Sequence, residues 1–383
     1  MRLLDTHGRV IKDVRISVTP RCNLHCLYCH PLGLEVREPP GTLTVEEVDR
    51  FLEAAALLGL SAVRFTGGEP LVRKELPQMI ARAREKEGIE DVAITTNGLL
   101  FPKRARELLE AGLTRVNLSL DALTPEVFTR ITRGGKVERV LEAIETALEL
   151  GLHPVKLNAV VIRGMNEEEV VPLAGLSLDR PLHVRFIEYM HLDNSDPEVY
   201  RRRFVPGKET RARIEGVYGP LEPVPHDPSS PARVFKIPGA QGTVGFINPV
   251  TEPFCAHCSR LRLTSDKKLR PCLLTDLEMD IAWAFAAPEP VEALVDAILI
   301  ATQRKPAFGN TLPTMRRRVC WGLADSLQGG RNHQASSQGP RKAQALAQKK
   351  VGEEGGPDGL EGVQHRRLGG RARTSAPRSG ARW

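Results

Sequence analysis

The chain has 383 residues, 41% of them hydrophobic, enough for one large domain or two ordinary ones with a substantial core. No apolar run reaches the ~18 residues that span a bilayer, and the amino terminus lacks a long apolar secretory signal, so we expect a cytoplasmic protein without membrane contact. Residues 316–383 hold 14 Lys and Arg against 5 Asp and Glu, whereas the preceding 315 residues hold 40 basic and 42 acidic side chains. The net charge of +7 therefore belongs to the tail, and we expect no nucleic-acid partner for the body of the chain.

Residues 1–190 alternate between strand-like and helix-like stretches. Apolar-alternating segments predict six strands, at 14–18, 62–65, 92–95, 116–120, 155–162 and 182–188. A capping box at 44–47 and apolar stripes predict helices at 44–58, 76–86, 102–111, 137–148 and 166–173. This alternation indicates a parallel sheet with right-handed crossovers, which fits both a doubly wound open sheet and an incomplete barrel.

The remaining chain changes character twice. Residues 191–252 are rich in Pro, Gly and Arg and predict a connector with short strands at 234–237 and 244–247, followed by helices at 276–287 and 289–304. From Arg316 onward the chain is basic and poor in large apolar residues, so we expect disorder. We therefore predict three regions: 1–190, 191–315 and a tail, 316–383.

Three cysteines, Cys22, Cys26 and Cys29, lie within eight residues. Their odd number and the cytoplasmic setting argue against disulfides. Four-iron cubes are normally held by four thiolates, so three would leave one iron open to another ligand. Zinc with His25 or His30 as a fourth ligand stays open on spacing alone.

A second set, Cys255, Cys258 and Cys272, follows a C-x2-C-x13-C pattern. Its spacing favours zinc, with His257 or Cys320 as the fourth ligand, as much as iron–sulfur.

Cationic and polar residues stand at several predicted strands. Arg260 and Arg262 alternate on one strand and so point to one face, where they either bind phosphate or carboxylate or form a solvated edge. Lys156 lies inside an apolar strand and needs an anionic partner, unless it reaches water at a sheet edge. Strand ends carry Thr95, Ser119 and Met190, where α/β folds bind ligands, although a Ser or Thr there often serves as a helix cap or turn.

The cysteine loop, with Tyr28 before its last cysteine, resembles the cluster loop of the radical S-adenosylmethionine (SAM) enzymes. Gly67-Gly68-Glu69-Pro70, directly after a strand, resembles their GGEP motif, although alone it reads equally as a βα turn. Two three-cysteine sets with R-x-R inside the second narrow the resemblance to the GTP 3′,8-cyclase (MoaA) family of molybdenum cofactor biosynthesis, over residues 8–315. The specific motifs lie at 15–23, 65–71, 95–98, 117–121 and 255–272.

This resemblance implies a partial (βα)6 barrel of TIM type with a C-terminal auxiliary iron–sulfur region. It also implies two [4Fe–4S] clusters and SAM as cofactors. The deoxyadenosyl radical from SAM removes hydrogen from the ribose C3′ of GTP, and the sugar radical attacks C8 of guanine. The product is (8S)-3′,8-cyclo-7,8-dihydroguanosine 5′-triphosphate.

The resemblance assigns roles by position. The first cluster is held by Cys22, Cys26 and Cys29, and the second, whose open iron binds guanine, by Cys255, Cys258 and Cys272. The SAM-binding residues are Tyr28, Gly68, Ser119 and Met190. The GTP-binding residues are Arg15, Arg64, Thr95, Lys156, Arg260, Leu261 and Arg262.

The resemblance further implies a homodimer, a reductant for the clusters, and the next enzyme of the molybdopterin pathway as a partner. Its pattern stops near residue 315, whereas family members end in Gly-Gly; Gly329-Gly330 here is internal. The tail composition resembles a GC-rich gene read in the wrong frame. A genuine tail without the terminal Gly-Gly would instead leave an impaired cyclase, and an RNA-binding tail is the competing interpretation. For the whole chain, the competing functions are a peptide-modifying radical SAM enzyme and a zinc-binding interaction protein.

Overall fold

One twelve-stranded mixed sheet organises the protein in the computed structural model, which describes residues 2–29, 41–190 and 196–309. The six strands predicted in residues 1–190 form, with bounds within one or two residues of those expected. The strands are β1 (Asp13–Ser17), β2 (Ala62–Thr66), β3 (Asp91–Thr96), β4 (Arg115–Ser119), β5 (Val155–Val161), β6 (Leu182–Glu188), β7 (Glu222–Pro223), β8 (Arg233–Lys236), β9 (Thr243–Ile247), β10 (Arg260–Leu263), β11 (Lys268–Arg270) and β12 (Met279–Asp280).

Helices connect the parallel strands and cover the sheet. The capping box at Thr44 opens the first helix as predicted, because its hydroxyl accepts from Glu47 N–H while the Glu47 carboxylate accepts from Thr44 N–H. The helices are α1 (Val45–Leu57), α2 (Leu76–Glu85), α3 (Phe101–Glu110), α4 (Pro125–Thr132), α5 (Val137–Glu149), α6 (Val170–Gly175), α7 (Pro197–Arg203), α8 (Gly207–Tyr218), α9 (Ala282–Phe285) and α10 (Pro290–Gln303).

Two expectations for the second half are wrong in detail. The predicted helix at 276–287 is replaced by β12 and the four-residue α9, because Met279 and Asp280 pair with β11. The predicted connector contains α8, which periodicity missed because the helix buries few side chains, Thr210 and Ile214 among them. The region boundary at residue 190 stays a prediction, and the 316–383 tail lies outside the described residues.

The sheet order places late strands beside early ones. Its order is β12-β11-β10-β1-β2-β3-β4-β5-β6-β9-β8-β7, and β10 pairs parallel to β1 while β9 pairs parallel to β6. Side chains from β1, β2, β4, β5 and β6 line a common cavity, so the sheet curves around an interior as a partial barrel does. The carboxyl ends of its parallel strands therefore converge, as the fold class predicted from the resemblance requires.

The core is continuous from the sheet to the outer helices. Val48, Phe51 and Leu52 of α1 are fully buried, and α10 packs against this helix. Within the part of the chain that the structure describes, no helix is both long and apolar enough to cross a membrane.

Glu188 fastens the end of β6 to later parts of the chain. Its buried carboxylate accepts from the backbone N–H groups of Gly207 (2.8 Å), Val250 and Thr251 (both 3.0 Å). We predict that Glu188→Ala lowers the free energy of unfolding by about 3 kcal/mol, because each buried N–H left unpaired costs about 1–3 kcal/mol. Urea denaturation measures this, with exposed Glu138→Ala as a control expected within about 0.5 kcal/mol of wild type. Equal losses in both variants would contradict this role.

Candidate active site

The first cysteine set lies on a loop between β1 and α1 that is anchored to α4. His25 N–H donates to the carbonyl oxygen of Thr132 (3.3 Å), and Leu27 N–H donates to that of Ile131 (2.9 Å). Cys22, Cys26 and Cys29 form no disulfide and are half-buried. The helix that follows the Asn117–Asp121 motif thus holds the cysteine loop in place.

The GGEP turn touches this loop so closely that Gly68 admits no side chain. Gly68 N–H donates to the carbonyl oxygen of Thr19, and Glu69 N–H donates to that of Arg21, both at 2.8 Å. A Cβ atom on Gly68 would lie 2.0 Å from the carbonyl oxygen of Arg21. Close backbone approach therefore requires glycine, and the turn positions the residues leading into Cys22.

The carboxylate of Glu69 connects the GGEP turn to the Thr95–Gly98 motif and, through it, to Cys22. Burial raises the pKa of Glu69 to about 7. The carboxylate accepts from Thr96 Oγ1 and from Asn97 N–H, both at 2.7 Å. Asn97 Nδ2 in turn lies 3.9 Å from Cys22 Sγ, and Leu24 N–H donates to the same sulfur at 3.4 Å. Two motifs that are distant in sequence thus orient one cysteine.

Tyr28 is fixed by the last residue of the Asn117–Asp121 motif. Its hydroxyl donates to Asp121 Oδ2 (2.8 Å), while Val160 N–H donates to Asp121 Oδ1 (2.8 Å). Burial raises the pKa of Asp121 to about 6. The tyrosine ring thereby lines a cavity of about 300 Å³, the main cavity, together with Ser119 and Met190.

A row of arginines crosses three adjacent strands. In the parallel register Arg15 of β1 stands opposite Arg262 of β10 on one side and Arg64 of β2 on the other. Arg260, two residues before Arg262, stands opposite Asp13 and lies 4.5 Å from the Phe254 ring centroid. Directly opposed like charges destabilise a sheet, so an anionic ligand bound to this row would stabilise it.

The buried arginines are incompletely satisfied by the protein. The Nε atoms of Arg15, Arg64 and Arg185, and Nη2 of Arg260, have no hydrogen-bond partner among the described residues. Burial lowers the pKa of Arg64 to about 10 and, with repulsion from neighbouring guanidinium groups, that of Arg185 to about 9. Asp13 is the carboxylate among them: burial opposes its ionisation, but Arg64 and Arg15 outweigh it and hold its pKa below the ordinary value.

One cavity of about 300 Å³ collects residues from both predicted sites. Tyr28, Ser119 and Met190 line it, as do Arg15, Arg64, Thr95, Arg260 and Arg262. All three cysteines of the second set, Cys255, Cys258 and Cys272, also line this cavity. The structure thus brings together most of the residues predicted to bind SAM and GTP.

A second cavity, of about 520 Å³, opens at the amino ends of the strands and shares Arg15, Arg64 and Arg260 with the first. Lys156 lines this second cavity and not the first one. Arg185 lines both and donates to Asn117 Oδ1 at 2.9 Å. Sequence reasoning missed Arg185, although its place inside the predicted strand at 182–188, three residues before the end of that strand, was a signal that could have found it.

Comparison with known proteins gives consistent matches along the chain. Residues 16–176 match the Radical SAM superfamily, and residues 182–310 match Molybdenum Cofactor Synthesis C. A GTP 3′,8-cyclase from Pelotomaculum thermopropionicum is 45% identical over 82% of this chain and 97% of its own length. One from Moorella thermoacetica is 43% identical over 79% and 94%, respectively.

This chain belongs to the GTP 3′,8-cyclase family of radical SAM enzymes. Among solved structures, SuiB of Streptococcus suis bound to S-adenosylmethionine superposes with a TM-score of 0.51 at 15% identity, covering 76% of this chain and 69% of that one. That likeness supports the fold alone.

The donor set fits the two [4Fe–4S] clusters and SAM that the family carries. Backbone N–H groups donate to sulfur in both sets, from Leu24 to Cys22 at 3.4 Å and from Leu274 to Cys272 at 3.3 Å. Such hydrogen bonds are typical around cluster thiolates. Within residues 2–29, 41–190 and 196–309, no three His, Cys, Asp or Glu side chains lie close enough together to hold a single metal ion.

Several predicted ligands lie away from the cavity or outside the description. Leu261 alternates with Arg260 and is fully buried in the core, so its side chain faces away from the cavity and only its backbone is available to a ligand. His257 is exposed and lines a neighbouring pocket instead. His30 and Cys320, each considered as a fourth ligand to zinc, fall outside the described residues.

We predict that Gly68→Ala prevents assembly of the first cluster, because a Cβ atom there displaces the backbone at Arg21. Purified anaerobically, the variant should hold about half the iron of wild type. The control is Gly216→Ala on α8, where a Cβ atom meets nothing within 4 Å. That exposed substitution should keep all the iron and stabilise the chain by about 0.5–1 kcal/mol. Full iron content in Gly68→Ala would show that the close backbone contact at Gly68 is not needed for the first cluster to assemble.

The charge of Lys156 predicts a pH dependence of nucleotide affinity. Burial, then repulsion from nearby arginines, lowers the pKa of Lys156 to about 7, so this ammonium is charged below that pH and loses its proton above it. GTP affinity should therefore fall as pH rises through 7, by about tenfold, since a hydrogen bond between charged groups contributes about 1.5–3 kcal/mol. Lys156→Arg stays charged and should show a flatter profile, which corrects for titration of GTP itself. Parallel profiles would rule Lys156 out as a phosphate ligand.

Proposed function

We propose that this protein converts GTP to (8S)-3′,8-cyclo-7,8-dihydroguanosine 5′-triphosphate, the first step of molybdenum cofactor biosynthesis. One observation carries the proposal: Tyr28, Ser119 and Met190, the arginine row and the second cysteine set all line a single cavity. The 45% identity to a GTP 3′,8-cyclase over most of both chains supports it.

The first cysteine set adjoins this cavity through Tyr28, and the second set lines it directly. We assign Cys22, Cys26 and Cys29 to the first [4Fe–4S] cluster, and Tyr28, Gly68, Ser119 and Met190 to SAM. Bound there, these groups supply the radical that abstracts hydrogen. The protein's own contribution is orientation: Asn97 and Leu24 orient Cys22, and Asp121 holds the Tyr28 ring.

The substrate would lie between the cysteine sets. We assign Arg15, Arg64, Lys156, Arg260 and Arg262, together with Thr95 and the backbone of Leu261, to GTP. The triphosphate would neutralise guanidinium groups that otherwise oppose one another across β10, β1 and β2. The guanine would face the second cluster, assigned to Cys255, Cys258 and Cys272.

Fixing both ends of GTP in one cavity limits the motion of its ribose. With the triphosphate on the arginine row and the base at the second cluster, the C3′ hydrogen would be held in the space between them. Positioning of this kind can lower a barrier by about 7–11 kcal/mol. Arg185, which lines both cavities, is a further candidate to bind the phosphate groups of GTP.

In the cell, we propose a cytoplasmic homodimer that takes electrons from a separate reductant and passes its product to the next enzyme of the molybdopterin pathway. Reduced thiols in both cysteine sets suit that compartment. A radical SAM enzyme acting on a peptide would not need the row formed by Arg15, Arg64 and Arg262.

The deciding experiment incubates the anaerobically reconstituted enzyme with GTP, SAM and dithionite and seeks the cyclised nucleotide by mass spectrometry.

We predict that Cys272→Ser holds about half the iron, still cleaves SAM with dithionite, and forms no cyclised nucleotide. Zinc bound at Cys272 would overturn the cluster assignment. A wild-type preparation that stays colourless and free of iron after reconstitution would end the proposal altogether.

A further inference from the structure

The chain just after α10 lies against the second cysteine set. Arg9, near the amino terminus, donates to the carbonyl oxygens of Pro306 (2.7 Å) and Ala307 (3.0 Å). The same guanidinium donates to the carbonyl oxygen of Cys255 (2.8 Å). Gly309 N–H donates to Cys255 Sγ at 3.4 Å. The amino terminus, the second cysteine set and the chain after α10 are therefore joined at one point.

Lys305 bridges the two segments that carry the other cysteines of this set. Its side chain is buried, with the residue only 3% exposed. The ammonium donates to the carbonyl oxygen of Arg260 (2.7 Å), two residues after Cys258. It also donates to that of Pro271 (2.6 Å), directly before Cys272. One cation thus spans the thirteen residues between two predicted ligands.

The ammonium of Lys305 is also close enough to two thiols of this set to interact with them electrostatically. A lysine ammonium has three donors, and two go to the carbonyl groups. Burial lowers the pKa of Lys305, whereas the charged forms of Cys258 and Cys272 act against that shift. Burying a charge costs several kcal/mol unless it is paired. Lys305 is therefore placed to be paired by thiolates.

The two cysteine sets have opposite electrostatic surroundings. Near the first set, the Glu69 carboxylate accepts from Asn97, which lies beside Cys22, and the Asp121 carboxylate accepts from Tyr28. Near the second set, Lys305 donates to the carbonyl groups of Arg260 and Pro271, and Arg9 donates to that of Cys255. The second set thus lies in a cationic environment and the first does not.

We propose that Lys305 is a positioning residue for the second cluster, which it serves by joining the two cysteine-bearing segments and by raising the reduction potential of the cluster. The charge near a cluster and the hydrogen bonds to its sulfur atoms set that potential, and a nearby cation favours the reduced form. This inference rests on the assignment of Cys255, Cys258 and Cys272 to a cluster. It concerns cluster affinity and potential, and neither depends on GTP turnover.

The test compares Lys305→Gln, Lys305→Arg and wild type as full-length reconstituted enzymes. Lys86→Gln is the matched control, because Lys86 is also largely buried but pairs with Asp49. Redox titration followed by electron paramagnetic resonance gives the potential of each cluster, and a chelator challenge gives its iron affinity. SAM cleavage with dithionite reports that the first cluster and the barrel are intact.

We expect Lys305→Gln to lower the potential of the second cluster and to weaken its iron binding roughly 10–100-fold, as loss of a group that orients metal ligands commonly does. The first cluster should be unchanged, Lys86→Gln should match wild type, and Lys305→Arg should lie closer to wild type than Lys305→Gln. An unchanged second cluster in Lys305→Gln, or the same shift in Lys86→Gln, overturns the proposal.

A second measurement needs no variant and so does not depend on whether Lys305→Gln folds. Wild-type enzyme labelled with ¹⁵N at the lysine side chains, without GTP, is reduced and studied by pulsed electron paramagnetic resonance. We expect the second cluster to show coupling to a lysine ¹⁵N, because the Lys305 ammonium is hydrogen-bonded to the carbonyl groups of Arg260 and Pro271, which adjoin Cys258 and Cys272 in the chain. Absence of that coupling overturns the proposal.

Discussion

Three guanidinium groups, held in register across β10, β1 and β2, are the interaction on which the rest of the site depends. Arg262, Arg15 and Arg64 are forced together by strand pairing, and Asp13 offsets only part of their repulsion. The fold therefore carries an electrostatic cost that a polyanion relieves. Charge that is in place before the ligand arrives needs no reorganisation during the reaction, which is the advantage of a preorganised site.

The pairing of β10 with β1 also decides where the second cysteine set lies. Cys258 stands two residues before β10, and Cys272 follows β11, the antiparallel partner of that strand. Because β10 pairs with β1, both cysteines line the cavity that Tyr28 also lines. One strand pairing thus sets both the charge of the cavity and the separation of its two ends.

The two cofactor loops are held by different physical means. The first loop is clamped by backbone contact at Gly68 and by neutral or anionic neighbours, including Glu69 and Asp121. The second is held by cations, Lys305 and Arg9, that donate to backbone carbonyl groups around the cysteines. Because cluster potential follows local charge, the two centres are built to differ in how readily they accept an electron.

The sequence by itself determined the features that depend on patterns among neighbouring residues. The six strands of residues 1–190, the capping box at Thr44, both cysteine sets and the GGEP turn were all visible, because periodicity and ligand spacing are local properties. The family followed from those motifs in combination. Within these limits the fold class was identified correctly, and most of the residues predicted to bind SAM and GTP line the main cavity.

Only the tertiary structure decided what depends on contacts between distant residues. The placement of β10 beside β1 and the arrival of Lys305 at the cavity have no local signature. The predicted helix at 276–287 failed for the same reason, since pairing with β11 outweighed an apolar spacing that also suits a helix. Strand pairing joins backbones hundreds of residues apart, and its energy comes from the assembled sheet rather than from any one segment.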